Sequence, residues 1–215
     1  MSDINECSKN GSPYISNCEE LHKMVNNLPR YNIPIEMDKI PDNGIYFIFE
    51  KGEAAHDVHR IVYVGSHDVN GRLPARLKEH FNIFSKDGSI LRKNIGRAIL
   101  NKSADPYLEI WNIDYSQAKN KSLYESKRDK QYEQNIENQV SGYINNSFTV
   151  AVLEITDKEE RKKLQKQIIS VINNCEECKP SKYWLGRFSP KSKISNGKLW
   201  MEKFWLIRTL INDVN

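Results

Sequence analysis

Long apolar runs are missing from this 215-residue sequence. Nowhere does it approach the roughly 18 consecutive apolar residues that a membrane-spanning helix needs, so a transmembrane segment is excluded. The opening MSDINECSKNGSPY also lacks the apolar core of a secretory signal, and a soluble, cytoplasmic protein with no membrane partner is expected. Charge of one sign is scarce as well: the net charge is +4 and the pI about 8.7, which permits a polyanionic partner without requiring one. Cysteine is sparse, with four residues, Cys7, Cys18, Cys175 and Cys178, of which only the last two form a C-x-x-C step. A zinc site would want a second such step or histidines at ligand spacing, which Cys7 and Cys18 do not supply, so reduced surface thiols are expected. Internal repeats and low-complexity tracts are absent. An apolar content of 39% supports one sizeable core rather than two.

What is present concentrates after residue 40. Residues 1–40 are polar and read as an N-terminal extension with one short helical pattern, Glu19 to Val25. Then Gly44-Ile45-Tyr46-Phe47-Ile48-Phe49 follows the turn dipeptide Asp42-Asn43, and Arg60-Ile61-Val62-Tyr63-Val64 repeats its aromatic and β-branched chemistry. These predict two strands joined by a long polar loop. Leu73 to Phe81 is an amphipathic helix with Pro74 in its first turn and Leu73, Leu77 and Phe81 on one side. A basic helix is predicted over Ser89 to Lys102, a strand over Tyr107 to Ile113, and helix over the charge-rich stretch Gln117 to Tyr143. Phe148 to Ile155 is a further strand. Thr156-Asp157-Lys158-Glu159 then opens a helix to about Asn173, whose apolar stripe Leu164, Ile168, Ile169 and Ile172 includes one polar residue, Gln165.

Taken in order, these elements resemble the GIY-YIG nuclease family. The matching residues are Gly44-Ile45-Tyr46, Tyr63-Val64-Gly65, the helix pair Arg76 and His80, and Leu164-Gln165-Lys166-Gln167-Ile168-Ile169, where the family has a glutamate in place of Gln165. The resemblance covers Pro41 to Trp184, with an enlarged middle at about 85–146 and a basic, aromatic C-terminal extension over 185–215. It implies an α+β fold, a small central antiparallel sheet with a three-stranded core flanked by helices. It also implies an endonuclease that hydrolyses phosphodiester bonds in DNA, of restriction or defence type by its size. One divalent ion per active site, Mg²⁺ or Mn²⁺, is implied, with double-stranded DNA as partner and a homodimer as the route to cutting both strands.

The residue types suit that chemistry. A phosphodiester is anionic and a poor electrophile, so its hydrolysis needs an oriented water, positive charge on the developing phosphorane and help for the leaving oxygen. The resemblance gives Tyr46 the water, Tyr63 the same hydrogen-bond network, Arg76 the phosphate through its planar fork of donors, and His80 a proton or a phosphate contact. Gln165 at the metal-ligand position offers a neutral amide where a hard cation prefers a carboxylate, so the chain as written is expected to be inactive. A substituted nuclease, a natural non-cleaving binder and a different register using Glu159 or Glu160 all account for it, and substitution is the preferred reading. DNA contacts are expected from Arg92, Lys93 and Arg97 on the basic helix and from Lys182 and Arg187 near Tyr183 and Trp184. The competing expectation for Trp184, Trp200 and Trp205 is a C-terminal core.

Overall fold

Seven consecutive residues, Gly44 to Glu50, are buried, and a strand closed off on both faces needs a layer on each side. A computed structural model, which describes residues 17–202, shows how the chain supplies those layers. It runs through helix α1 (Cys18–Asn26), strand β1 (Arg30–Asn32), the hairpin β2 (Gly44–Ala55) and β3 (Val58–Gly65), and helices α2 (Leu73–Phe81) and α3 (Ile90–Lys102). Helices α4 (Leu108–Asn112), α5 (Ala118–Tyr124) and α6 (Lys130–Ser147), strand β4 (Phe148–Glu154) and helix α7 (Lys158–Asn174) follow. The sheet is antiparallel throughout, in the order β1-β4-β2-β3. The expected α+β architecture is present, and the short edge strand β1 adds a fourth strand to the three-stranded core.

Side chains alternate across the sheet. Ile45, Phe47, Phe49, Ile61, Val64 and Ala151 face one side and pack with Leu21 and Val25 of α1 and Leu164, Ile168 and Ile172 of α7. Tyr46, Ile48, Val150 and Val152 face the other, against α2, α3, α6 and Trp184 and Trp200 of the C-terminal segment. The register shifts twice, between Ile48 and Phe49 and again before Ala54; at the first shift Ile48 opposes Tyr63 while Phe49 opposes Ile61, which leaves Val62 as the extra residue of a bulge. Its carbonyl accepts the backbone N–H of Trp200 at 2.8 Å, tying the C-terminal segment to the sheet. Both indoles donate to one buried carboxylate oxygen, Glu50 Oε2, at 3.0 Å from Trp184 and 2.9 Å from Trp200. The core role anticipated for these two tryptophans therefore applies; Trp205 lies outside the described residues.

Two expectations need correction. The hairpin has no long loop, because β2 and β3 extend through polar residues to a two-residue turn, His56-Asp57, with both residues at positive φ. Polar residues reach the outer rungs, yet Glu53 and Ala55 there are still buried. The predicted strand Tyr107 to Ile113 is instead helix α4, started by Asp105, whose side chain accepts the Tyr107 N–H at 2.8 Å. A helical turn carries Trp111 into the core over Gly96 of α3, where a Cβ would fall 2.3 Å from the indole, and the indole N–H reaches the Lys93 carbonyl at 2.9 Å. That burial outweighs the β-propensity of an isoleucine- and aromatic-rich stretch. Side-chain caps start four helices, with Asn17 capping α1, Ser89 α3, Asp129 α6 and Asp157 α7.

Candidate active site

Antiparallel pairing sets Tyr46 opposite Gly65 and Tyr63 opposite Ile48, so the two phenols are diagonal neighbours on one face. Their rings lie 5.9 Å apart at 25°. The Tyr46 ring crosses over Gly65 so closely that a Cβ there would sit 2.0 Å from its Cζ. At Gly44 a Cβ would meet the Leu153 carbonyl oxygen at 2.5 Å. Each tyrosine-glycine motif thus has a packing reason: the glycines remove the side chains that would hold the strands or the ring away.

Helix α2 approaches this face with Arg76 and His80, one turn apart. His80 is wholly buried behind Tyr46, with Nε2 2.7 Å from the Tyr46 hydroxyl and Nδ1 2.6 Å from Ser89 Oγ. Burial, helped by the positive charges of Arg76 and Arg92, holds its pKa well below the usual histidine value, so the ring is neutral at pH 7. In the tautomer that carries its proton on Nδ1, His80 donates to Ser89 and Nε2 accepts from the Tyr46 hydroxyl. Arg76 Nη1 donates to Glu79 Oε2 at 2.7 Å and to the Gly88 carbonyl at 3.3 Å. Burial pushes the Tyr46 phenol far above its ordinary value and raises Tyr63 too, while Arg76 beside them opposes both shifts. Neither phenol is a ready base at rest.

Tyr46, Tyr63, Arg76 and Gln165 line one cleft of about 850 Å³. Gln165 projects from α7 across the end of β3: its Nε2 donates to the Val64 carbonyl at 3.0 Å and its Oε1 accepts from Ser66 Oγ at 2.6 Å. Sequence reasoning missed Arg72, Lys162 and Lys166, which also line the cleft. Lys162 was findable, since it sits three residues before Gln165 on the same helix, and Lys166 follows one turn after Lys162.

Other expected contacts lie elsewhere. His80 does not line the cleft, so a direct phosphate contact from it is ruled out in this arrangement. Arg92, Lys93 and Arg97 do not form a DNA-facing surface. Arg92 is fully buried, with Nε and Nη2 on Glu137 Oε2 at 3.0 and 2.7 Å and Nη2 on Ser141 Oγ at 2.7 Å. Lys93 pairs with Asp87 at 3.2 Å and Arg97 with Glu202 at 3.0 Å. Glu137 of α6, Asp87 and Glu202 cover this helix, which its own basic pattern could not reveal. Lys182 and Arg187 are exposed but away from the cleft; Arg187 donates to the Ser181 and Pro180 carbonyls at 2.7 and 2.9 Å. Cys18 and Cys178 are buried rather than on the surface, because α1 and the chain leaving α7 meet over the sheet.

The comparison with protein families gives a match to the GIY-YIG domain over residues 12–204, nearly the whole chain. The chain belongs to that family, whose nucleases are generally phosphodiester-hydrolysing endonucleases and act on DNA. Neither the curated proteins nor the solved structures gave a significant match. GIY-YIG nucleases typically use a divalent ion. The residues present do not suit a hard cation at position 165: the Gln165 oxygen is neutral and already accepts from Ser66, while both Glu79 oxygens are held by Arg72 and Arg76 at 2.6 and 2.7 Å. Among the described residues, no helix is long and apolar enough to cross a membrane.

Proposed function

We propose that the cleft is the catalytic groove of a DNA endonuclease and that, with glutamine at 165, this chain binds DNA without efficient cutting. The convergence of Tyr46, Tyr63, Arg76 and the residue-165 side chain on one cleft carries this reading. A scissile phosphate seated there meets the Arg76 guanidinium, supported by Arg72, Lys162 and Lys166 along the walls. Tyr46 gives its proton to His80 Nε2, which leaves its oxygen as acceptor for an attacking water. Bound phosphate neutralises Arg76, which raises the His80 pKa and the Tyr46 pKa together, so the proton held between them stays shared rather than lost to solvent. Tyr63 shares the field of Arg76 and packs edge-on against His80.

Gln165 favours a second reading, a non-cleaving DNA-binding module. Its amide is satisfied at both ends, donating to Val64 and accepting from Ser66, and a carboxylate in the same pose would face the Val64 carbonyl oxygen without a proton between them. One experiment separates the two. Gln165→Glu protein is incubated with varied and base-modified DNA and Mg²⁺, beside Tyr46→Phe in the Gln165→Glu background. The endonuclease reading expects cutting that rises about 100-fold or more over the parent chain and is lost again with Tyr46→Phe. Salt-sensitive binding with no cutting in any protein establishes the silent module instead.

A further inference from the structure

On the sheet face opposite the phenols, four side chains from distant parts of the sequence meet. Cys18, His22, His56 and Cys178 each offer a ligand atom, and these atoms all lie within 4.8 Å of one another. The Cys18 and Cys178 sulfurs are 3.4 Å apart, and Cys178 Sγ is 3.9 Å from His22 Nε2 and 3.8 Å from His56 Nε2. Bond lengths to tetrahedral zinc of roughly 2.3 Å for sulfur and 2.0 Å for nitrogen place neighbouring ligand atoms about 3.3–3.8 Å apart. The cluster is already drawn in to nearly that size. Cys18, His22 and Cys178 are buried, and the His56 side chain is only 4% exposed.

The outer nitrogens of both rings are held as metal-bound histidines usually are. His22 Nδ1 donates to the Cys18 carbonyl at 2.9 Å, and His56 Nδ1 lies 3.2 Å from Glu177 Oε2. Each ring so held turns its Nε2 toward the sulfurs, that of His22 also lying 3.3 Å from the Ile61 N–H and that of His56 facing Cys175 and Cys178. The hairpin tip is a second, independent sign. His56 and Asp57 adopt φ of 52° and 59°, where a two-residue turn ordinarily selects Asn-Gly. A histidine held in left-handed backbone points to a use for its ring.

We propose that Cys18, His22, His56 and Cys178 form a structural zinc site that clamps α1, the β2–β3 hairpin tip and the segment after α7 together. Two thiolates and two imidazoles select zinc rather than the magnesium-class ion of phosphodiester chemistry, and four protein ligands leave no position open for substrate. Cys175, with Sγ 3.3 Å from His56 Nε2, sits at the half-exposed rim as a spare donor outside the set. The site is independent of the cleft and of whether the chain cuts DNA.

The test measures metal in untagged full-length protein purified without chelator, by plasma mass spectrometry. About one zinc per chain is expected, falling at least tenfold in Cys18→Ala and Cys178→Ala and retained in Cys175→Ala. Because these variants can misfold, unsubstituted protein is also loaded with Co²⁺, where thiolate-to-cobalt charge transfer and tetrahedral visible bands are expected. A strong chelator should lower its melting temperature by several degrees, since metal binding and folding are linked. Unsubstituted protein with no stoichiometric metal, no cobalt spectrum and four free thiols, or a Cys18–Cys178 disulfide, overturns the proposal. Metal lost in Cys175→Ala but kept in His22→Ala overturns the assignment of His22.

Discussion

Replacing Arg92 by alanine distinguishes a structural ion pair from a DNA contact. The truncation removes a fully buried guanidinium from between α3 and α6 and strands the charge of Glu137, itself buried, while Ser141 Oγ loses a donor but keeps its own bond to the Glu137 carbonyl. Breaking a buried pair from one side costs about 3–5 kcal/mol, because the surviving charge keeps its desolvation penalty and loses its partner. At roughly 2–4 °C per kcal/mol for a chain of this size, the melting temperature should fall by about 6–20 °C. Removing both charges together, Arg92→Met with Glu137→Leu, should recover part of that loss, since no buried charge is left unpaired while the Lys86 N–H still loses its Glu137 acceptor. Thermal unfolding followed by circular dichroism measures both, and filter binding of DNA across a salt series supplies the contrast. An Arg92→Ala protein whose melting point is unmoved, while its DNA affinity drops and its salt slope falls by about one, would refute the structural assignment.

Two further expectations come from the candidate site. Gly65→Ala forces the Tyr46 ring out of its seat, so overpacking of about 1–3 kcal/mol should lower the melting temperature by about 2–12 °C, and an unchanged melting curve would contradict the contact. His80 gives a pH signature: its folded pKa is depressed, first by burial, so above the unfolded value near 6.5 neither state holds the proton. Below that pH the unfolded chain binds a proton that the fold refuses. Stability therefore falls as pH drops, with a limiting slope of about 1.4 kcal/mol per pH unit, until the folded pKa is reached. His80→Gln removes that component, so the parent's advantage in urea midpoint should shrink between pH 7.5 and 5; a constant difference shows that His80 is not depressed.

The strands of the hairpin and β4, the start and face of α2, and the cap of α7 were readable locally, because alternation, helical spacing and cap residues act within a few positions of one another. The family motif was equally legible, since Gly44 to Tyr46, Tyr63 to Gly65 and Arg76 to His80 keep their types and order. Arg92 looked like a surface charge, and only the packing of α6 over α3 gave it Glu137 as a partner. Trp111 turned a strand-like stretch into helix because a glycine on α3 left a place for the ring. Cys18 and His22 stand one helical turn apart on α1, a spacing the sequence carried, whereas His56 and Cys178 have none and are brought in by the hairpin and the segment after α7. Local patterns specify the elements, whereas partners far apart in the chain depend on how those elements close against each other, and burial then settles which charges, thiols and rings face solvent.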